Sequence, residues 1–115
     1  MNIPTNYDLQ ALARKILALV HWHAAIRVEY QPIDRHPSWY IFYLNDVLSG
    51  ALELTDEFEI CVYILHPNVY KDGGLPYVEE QLDICDSLGA ALHRLLVGMM
   101  DCQIDAAVDV AVTWS

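Results

Sequence analysis

The sequence predicts an α+β domain covering residues 1–115: a two-layer sandwich of an approximately four-stranded mixed sheet with two helices on one face. Three observations lead there. Two segments place apolar residues at helical spacing, four shorter ones alternate or run apolar at strand length, and turn-forming residues separate them. The order along the chain is helix, strand, strand, strand, helix, strand. The last strand then pairs parallel with the third through a right-handed crossover. A chain of 115 residues suits one domain and buries roughly two-thirds of its unfolded surface without a disulfide or metal staple.

The first helix is expected from about Asn6 to Trp22. Thr5 followed by Asp8 reads as a capping box with the shorter acid. Leu9, Leu12, Ile16, Leu19, Val20 and His23 make its apolar stripe. AIRVEYQ, residues 25–31, alternates like a half-buried strand, and Pro32 and Pro37 bracket a loop after it. SWYIFYL, residues 38–44, is apolar enough to be covered on both faces. Residues 45–59 then read as a long loop or an extended hairpin arm, with Asn45-Asp46, Ser49-Gly50 and Asp56 as turn-formers. EICVYIL, residues 59–65, is a strand with two apolar faces, and HPNVYKDGGLP a loop.

The second helix is expected from about Pro76 to Val97. Pro76 stands at its first position, Glu79 and Glu80 near its positive end, and His93 and Arg94 near its negative end. Its buried stripe reads Val78, Leu82, Cys85, Leu88, Leu92, Leu95 and Met99, with Gly89 allowing close approach to the sheet and Gly98 as the C-terminal cap. DAAVDVAVTWS, residues 105–115, closes the chain as a strand. Ala106, Val108, Val110, Val112 and Trp114 form its apolar face, and Asp105 and Asp109 lie on the small, acidic one.

The formal charge is −10, from 16 acidic and 6 basic residues. That argues against a basic surface tracking phosphates. Cys61, Cys85 and Cys102 are odd in number and lack a CxxC pair, so buried free thiols in a reducing compartment are expected. MNIPTNYDLQ has no basic region followed by an apolar run, and no stretch approaches membrane-span length. The expected site of synthesis is the cytoplasm.

The residues that often carry chemistry are not arranged for it. His21 and His23 are two apart and point to different helix faces, so they do not form a metal pair. Glu79, Asp83 and Asp86 suit a solvated helix face as well as they suit acid–base work. Cys85 and His93 stand two turns apart on the expected helix, too far for a thiol–base dyad. Asp72-Gly73-Gly74 lacks the spacing of a phosphate-binding loop. No catalytic, cofactor-binding or metal site is therefore assigned. The central aromatics carry no positive charge between them, and they read as core and subunit interface. Candidate interface residues are Trp39, Tyr40, Tyr43, Leu52, Leu54, Val69 and Tyr70.

HPSWYIFYLNDVLSGALELTDEFEICVYILHPN and AAVDVAVTWS together resemble the tail terminator, or tail completion, proteins of long-tailed bacteriophages, including the minor tail protein U group. The resemblance runs from Tyr7 onward and lies in element order and residue flavour. It implies a non-enzymatic virion protein. Such a protein forms a homo-oligomeric ring, usually a hexamer, that caps the tail-tube protein and joins it to the head–tail connector. It implies neighbour or tube contacts through residues 46–57 and 66–76. Asp105 and Asp109 would line a lumen through which DNA passes without binding.

Two other readings stay open. One is a small acidic protein that imitates nucleic acid and inhibits a nucleic-acid-binding or defence complex, which requires acids clustered on one face. The other is a small ligand-binding or enzymatic α+β domain, with a buried titratable group among Tyr30, Tyr43, Tyr63 and His66.

Overall fold

In the computed structural model, which describes residues 4–55, 57, 59–67 and 76–114 (the backbone alone for 105–114), a capping box opens the first helix, α1 (Asn6–Leu19). The Asp8 N–H donates to Thr5 Oγ1, and the Thr5 N–H donates back to the Asp8 carboxylate. The helix is shorter than expected. Its last turn closes as a Schellman motif: the His21 N–H bonds the Ala18 carbonyl and the Trp22 N–H the Leu17 carbonyl. His21 takes the left-handed position, φ 56°. Glycine adopts that conformation without strain. His21→Gly is therefore expected to raise stability by about 0.5–1 kcal/mol, read as a higher urea midpoint at unchanged slope.

Five strands follow: β1 (Ile26–Tyr30), β2 (Trp39–Leu44), β3 (Val47–Leu54), β4 (Ile60–Pro67) and β5 (Tyr77–Cys85). A second helix, α2 (Leu88–Trp114), ends the described chain. The strands form one antiparallel meander in the order β1-β2-β3-β4-β5. The architecture is α+β. The sheet has five strands rather than four, no parallel pair, and the order α-β-β-β-β-β-α.

The expected arm at 45–59 is mostly β3. Asn45 and Asp46 both have positive φ, 51° and 64°. Two such residues make the tight turn whose twist suits a two-residue hairpin. Asn45 also exchanges hydrogen bonds with the backbone of Ala25, which ties this turn to the start of β1. The turn thus feeds a strand directly, and β3 lies at the centre of the sheet.

Residues 77–85, expected within the second helix, form β5, and Val78 is half exposed rather than buried. The helix starts after Ser87, whose Oγ accepts from the Ala90 N–H. That is an N-cap, and it breaks the chain between strand and helix. Residues 105–114, expected as a strand, continue α2. No proline or glycine follows Gly98 to stop the helix. Extending an existing helix costs far less than starting a new element.

Both helices pack on one face of the sheet. The main core joins Leu9, Ala13 and Leu17 of α1 to Phe42, Leu52, Val62 and Ile64 of the sheet and to Leu92, Leu95 and Met99 of α2. The glycines at the contact are not those expected. A Cβ on Gly89 would meet open space, whereas one on Gly98 would lie 2.6 Å from Leu82 Cδ1, and one on Gly50 2.6 Å from Leu95 Cδ1. Gly98 is thus a close-packing residue inside the helix, not its cap.

The α1 stripe is rotated from expectation. Leu9, Ala13 and Leu17 are buried, while Leu12, Leu19 and Val20 face outward. The helix carries two apolar stripes, and the sheet covers only one. SWYIFYL behaves as its composition requires: Trp39, Tyr40, Ile41, Phe42 and Leu44 are all buried. Alternate residues feed two separate clusters, one on each face of the sheet.

Candidate functional site

The face away from the helices holds the smaller cluster, built on Trp39, Ile41, Ala51, Leu65 and Tyr77. The connector between β1 and β2 folds over it. Ile33 and His36 exchange both backbone hydrogen bonds at 3.0 Å, making a tight turn between Pro32 and Pro37. That turn lays the His36 ring flat on Trp39, with centroids 3.9 Å apart and planes 11° from parallel. Tyr63 meets both rings edge-on, at 5.4 and 5.1 Å.

His36 is the one polar residue buried among the described residues, and both its nitrogens are used. Nδ1 lies 3.0 Å from Glu53 Oε2 on β3, and Nε2 lies 2.9 Å from Glu79 Oε1 on β5. Arg35 Nη2 donates to the same Glu79 oxygen at 3.2 Å. A carboxylate only accepts, so a neutral ring serves one of the two and a doubly protonated ring serves both. The cluster ties a loop and two non-adjacent strands together. A metal on either ring nitrogen would reach only one of the carboxylates. Among the described residues no group of three or more His, Cys, Asp and Glu is placed to hold a metal.

Burial pushes the Tyr63 phenol up to about 12, and the negative groups at Cys61, Glu53 and Glu79 add to it. The Cys61 thiol is pushed up by burial first, then by Glu53 and Glu59. That favours an unreactive thiol over a nucleophilic thiolate. The tyrosine has a consequence in alkali. Its stabilising contribution is complete below the ordinary value of 10.0 and is lost as pH rises through about 12. The urea midpoint is therefore expected to fall between these values, with the Tyr63 tyrosinate absorbance appearing only toward the upper end of that range. A Tyr63→Phe chain should lose less stability over that window.

The other expected sites are dispersed. His21 and His23 are exposed at the end of α1. Cys85 ends β5 and His93 is exposed on α2, so the two no longer share a helix. Burial, then Asp83 and Asp86, raise the Cys85 thiol. An apolar cavity of about 390 Å³ lies between the β2–β3 turn, the end of β4 and α2, lined by Leu44, Val47, Leu48, Leu65 and Met99 with His66 at its rim. His66 Nε2 lies 3.1 Å from Glu80 Oε1.

The expected interface residues divide. Trp39, Tyr40 and Leu52 are buried in the chain's own two cores, so they are not available to a neighbouring subunit. Tyr43 is partly covered, with the Arg27 guanidinium 4.1 Å above its ring, and Leu54 packs partly against the main core. Val69 and Tyr70 lie outside the described residues, as do the side chains of Asp105 and Asp109. The latter two stand on helical backbone, not on the expected strand face.

Uncovered apolar side chains stand at both flanks of the sheet, and also at Val47 on β3 and at Val97 and Ile104 on α2. On α1, beside β1, Tyr7 and Leu19 are about three-quarters exposed, 75% and 76%, next to Leu12, Arg14 and Lys15. On β5, at the opposite edge, Val78 and Ile84 are half exposed beside Glu80, Asp83 and Asp86. No spacing in the sequence links His36 with Glu53 and Glu79, and the outward stripe of α1 reads there as its inward one. Comparisons with known protein families, curated proteins and solved structures find no match to this chain.

Proposed function

We propose that the chain is a non-enzymatic virion-assembly subunit of the tail terminator type, forming a ring that caps a tail tube and meets the head connector. The observation that carries this reading is the position of two groups of uncovered apolar side chains. Tyr7, Leu12 and Leu19 stand at one flank of the sheet, Val78 and Ile84 at the other. Two different patches on opposite sides of one subunit favour head-to-tail contacts, and these close into a ring when the rotation allows. The His36 ring and the Glu53 and Glu79 carboxylates bond one another, which suits a structural tie more than a reacting centre, although the Trp39 indole N–H beside them is buried without a partner. The net charge of −10 would keep passing DNA from adhering. Asp105 and Asp109 have no lumen-lining strand to stand on, because residues 105–114 are helical.

The experiment is electron microscopy of the purified chain with and without preformed tail tubes. Rings, or density seated on one tube end, are expected. Tubes with bare ends at saturating protein, together with an absence of rings, would overturn the reading.

A further inference from the structure

Among the described residues the two edge strands of the sheet, β1 and β5, are unlike. On β1 the outward backbone groups of Val28 are already taken. Asn6 Nδ2 donates to its carbonyl at 3.2 Å, and its N–H donates to Gln10 Oε1 at 2.9 Å. Both side chains come from α1, so they guard that edge against an added strand. On β5 the exposed side chains are Val78, Glu80, Gln81, Asp83 and Ile84, acidic or apolar apart from Gln81, with Asp86 just beyond. The bulge opposite Val62 and Tyr63 turns the strand, so Val78 lies beside His66 on the helix-bearing face and Ile84 beside Cys61 on the other. The edge is thus rimmed by an apolar side chain on each side. A second β5 brought against it across a two-fold axis would set carboxylates against carboxylates.

The complementary surface is on α1. Ala11, Leu12, Arg14 and Lys15 line a shallow depression on its outer side. Arg27 and Arg35 are spent on Glu29, Asp46 and Glu79. Arg14 and Lys15 form no ion pair with any described residue. In a chain of charge −10, two neighbouring cations without a described ion pair, on a helix side that also exposes Tyr7, Leu12, Leu19 and, one turn before Leu12, Asp8, are the natural counterpart of the β5 edge. The lengths agree as well. Tyr7 to Leu19 spans about 18 Å of helix, and Val78 to Ile84 about 20 Å of strand.

We propose that the outer face of α1 in one copy seats on the β5 edge of a second copy, with Tyr7, Leu12 and Leu19 against Val78 and Ile84, and Arg14 and Lys15 facing Glu80, Asp83 and Asp86. This inference rests on the assembly reading above and names the contact that would build it. Because α1 and β5 occupy opposite flanks, each copy keeps one free α1 and one free β5 until the chain of contacts closes.

The test is sedimentation of the full chain and three variants at matched concentration, with circular dichroism melts to follow the fold. Arg14→Glu with Lys15→Glu is expected to weaken association at least tenfold without lowering the melting point, since both residues are exposed. Adding Glu80→Lys and Asp83→Lys is expected to restore it. Adding Glu57→Lys and Glu59→Lys instead gives the same net charge and is expected not to. An unaltered chain that stays monomeric throughout overturns this contact, whereas the assembly reading falls only if tube ends also stay bare. Association undiminished in the first variant, or restored equally by both lysine pairs, overturns the contact alone.

Discussion

Replacing His36 with alanine is expected to destabilise the chain by about 2–4 kcal/mol, the sum of a lost hydrogen bond to a carboxylate and a lost stacked ring. Three losses coincide. Glu53 and Glu79, both largely buried, lose the ring between them. Trp39 loses the ring stacked on its face at 3.9 Å. The 33–36 turn loses its attachment to β3 and β5. Urea unfolding measures the total. The triple variant His36→Ala, Glu53→Gln, Glu79→Gln should be more stable than His36→Ala alone, because neutral amides do not repel. If the triple variant is the less stable, the carboxylates are not what the histidine serves.

Leu95→Ala is expected to cost about 3 kcal/mol, as for other fully buried leucines. Leu95 is 0% exposed and sits at the centre of the main core. Its Cδ1 stands 2.6 Å from where a Cβ on Gly50 would lie, with the Tyr63 carbonyl oxygen 3.2 Å from the same point. Gly50→Ala alone therefore overpacks the contact, at about 1–3 kcal/mol. Together the two changes should cost less than their sum, by about 1 kcal/mol, because the new methyl enters space the leucine leaves. Strict additivity in a double-mutant cycle would mean that Gly50 is not set by the α2 contact.

Local rules are legible where one physical signal acts without a rival. The Thr5–Asp8 capping box forms as the sequence writes it, and SWYIFYL is largely buried on both faces because it carries no charge and is almost wholly aromatic or aliphatic. Rival signals mislead where tertiary packing decides. In PYVEEQLDIC a proline and two glutamates look like a helix start, yet the Ser87 cap further on is the true one. Once that cap starts the helix at Leu88, the preceding residues are free to extend the sheet beside β4 as β5. In DAAVDVAVTWS the alternation of valine and alanine fits a strand, but a helix already running through Met99 reaches it without a stop signal. α1 has apolar residues on more than one face, and only the sheet chooses which to bury. The His36 cluster is invisible in the sequence, since its three members come from a connector and two strands that only the folded meander brings together.

The most direct measurement is the native mass of the unaltered chain from micromolar to millimolar concentration, at low and high salt. The expected result is a mass that climbs from the 13.1 kDa of one copy to a closed species of several copies, and that falls back as salt screens the α1–β5 contact. A mass of one copy at every concentration and salt would contradict it.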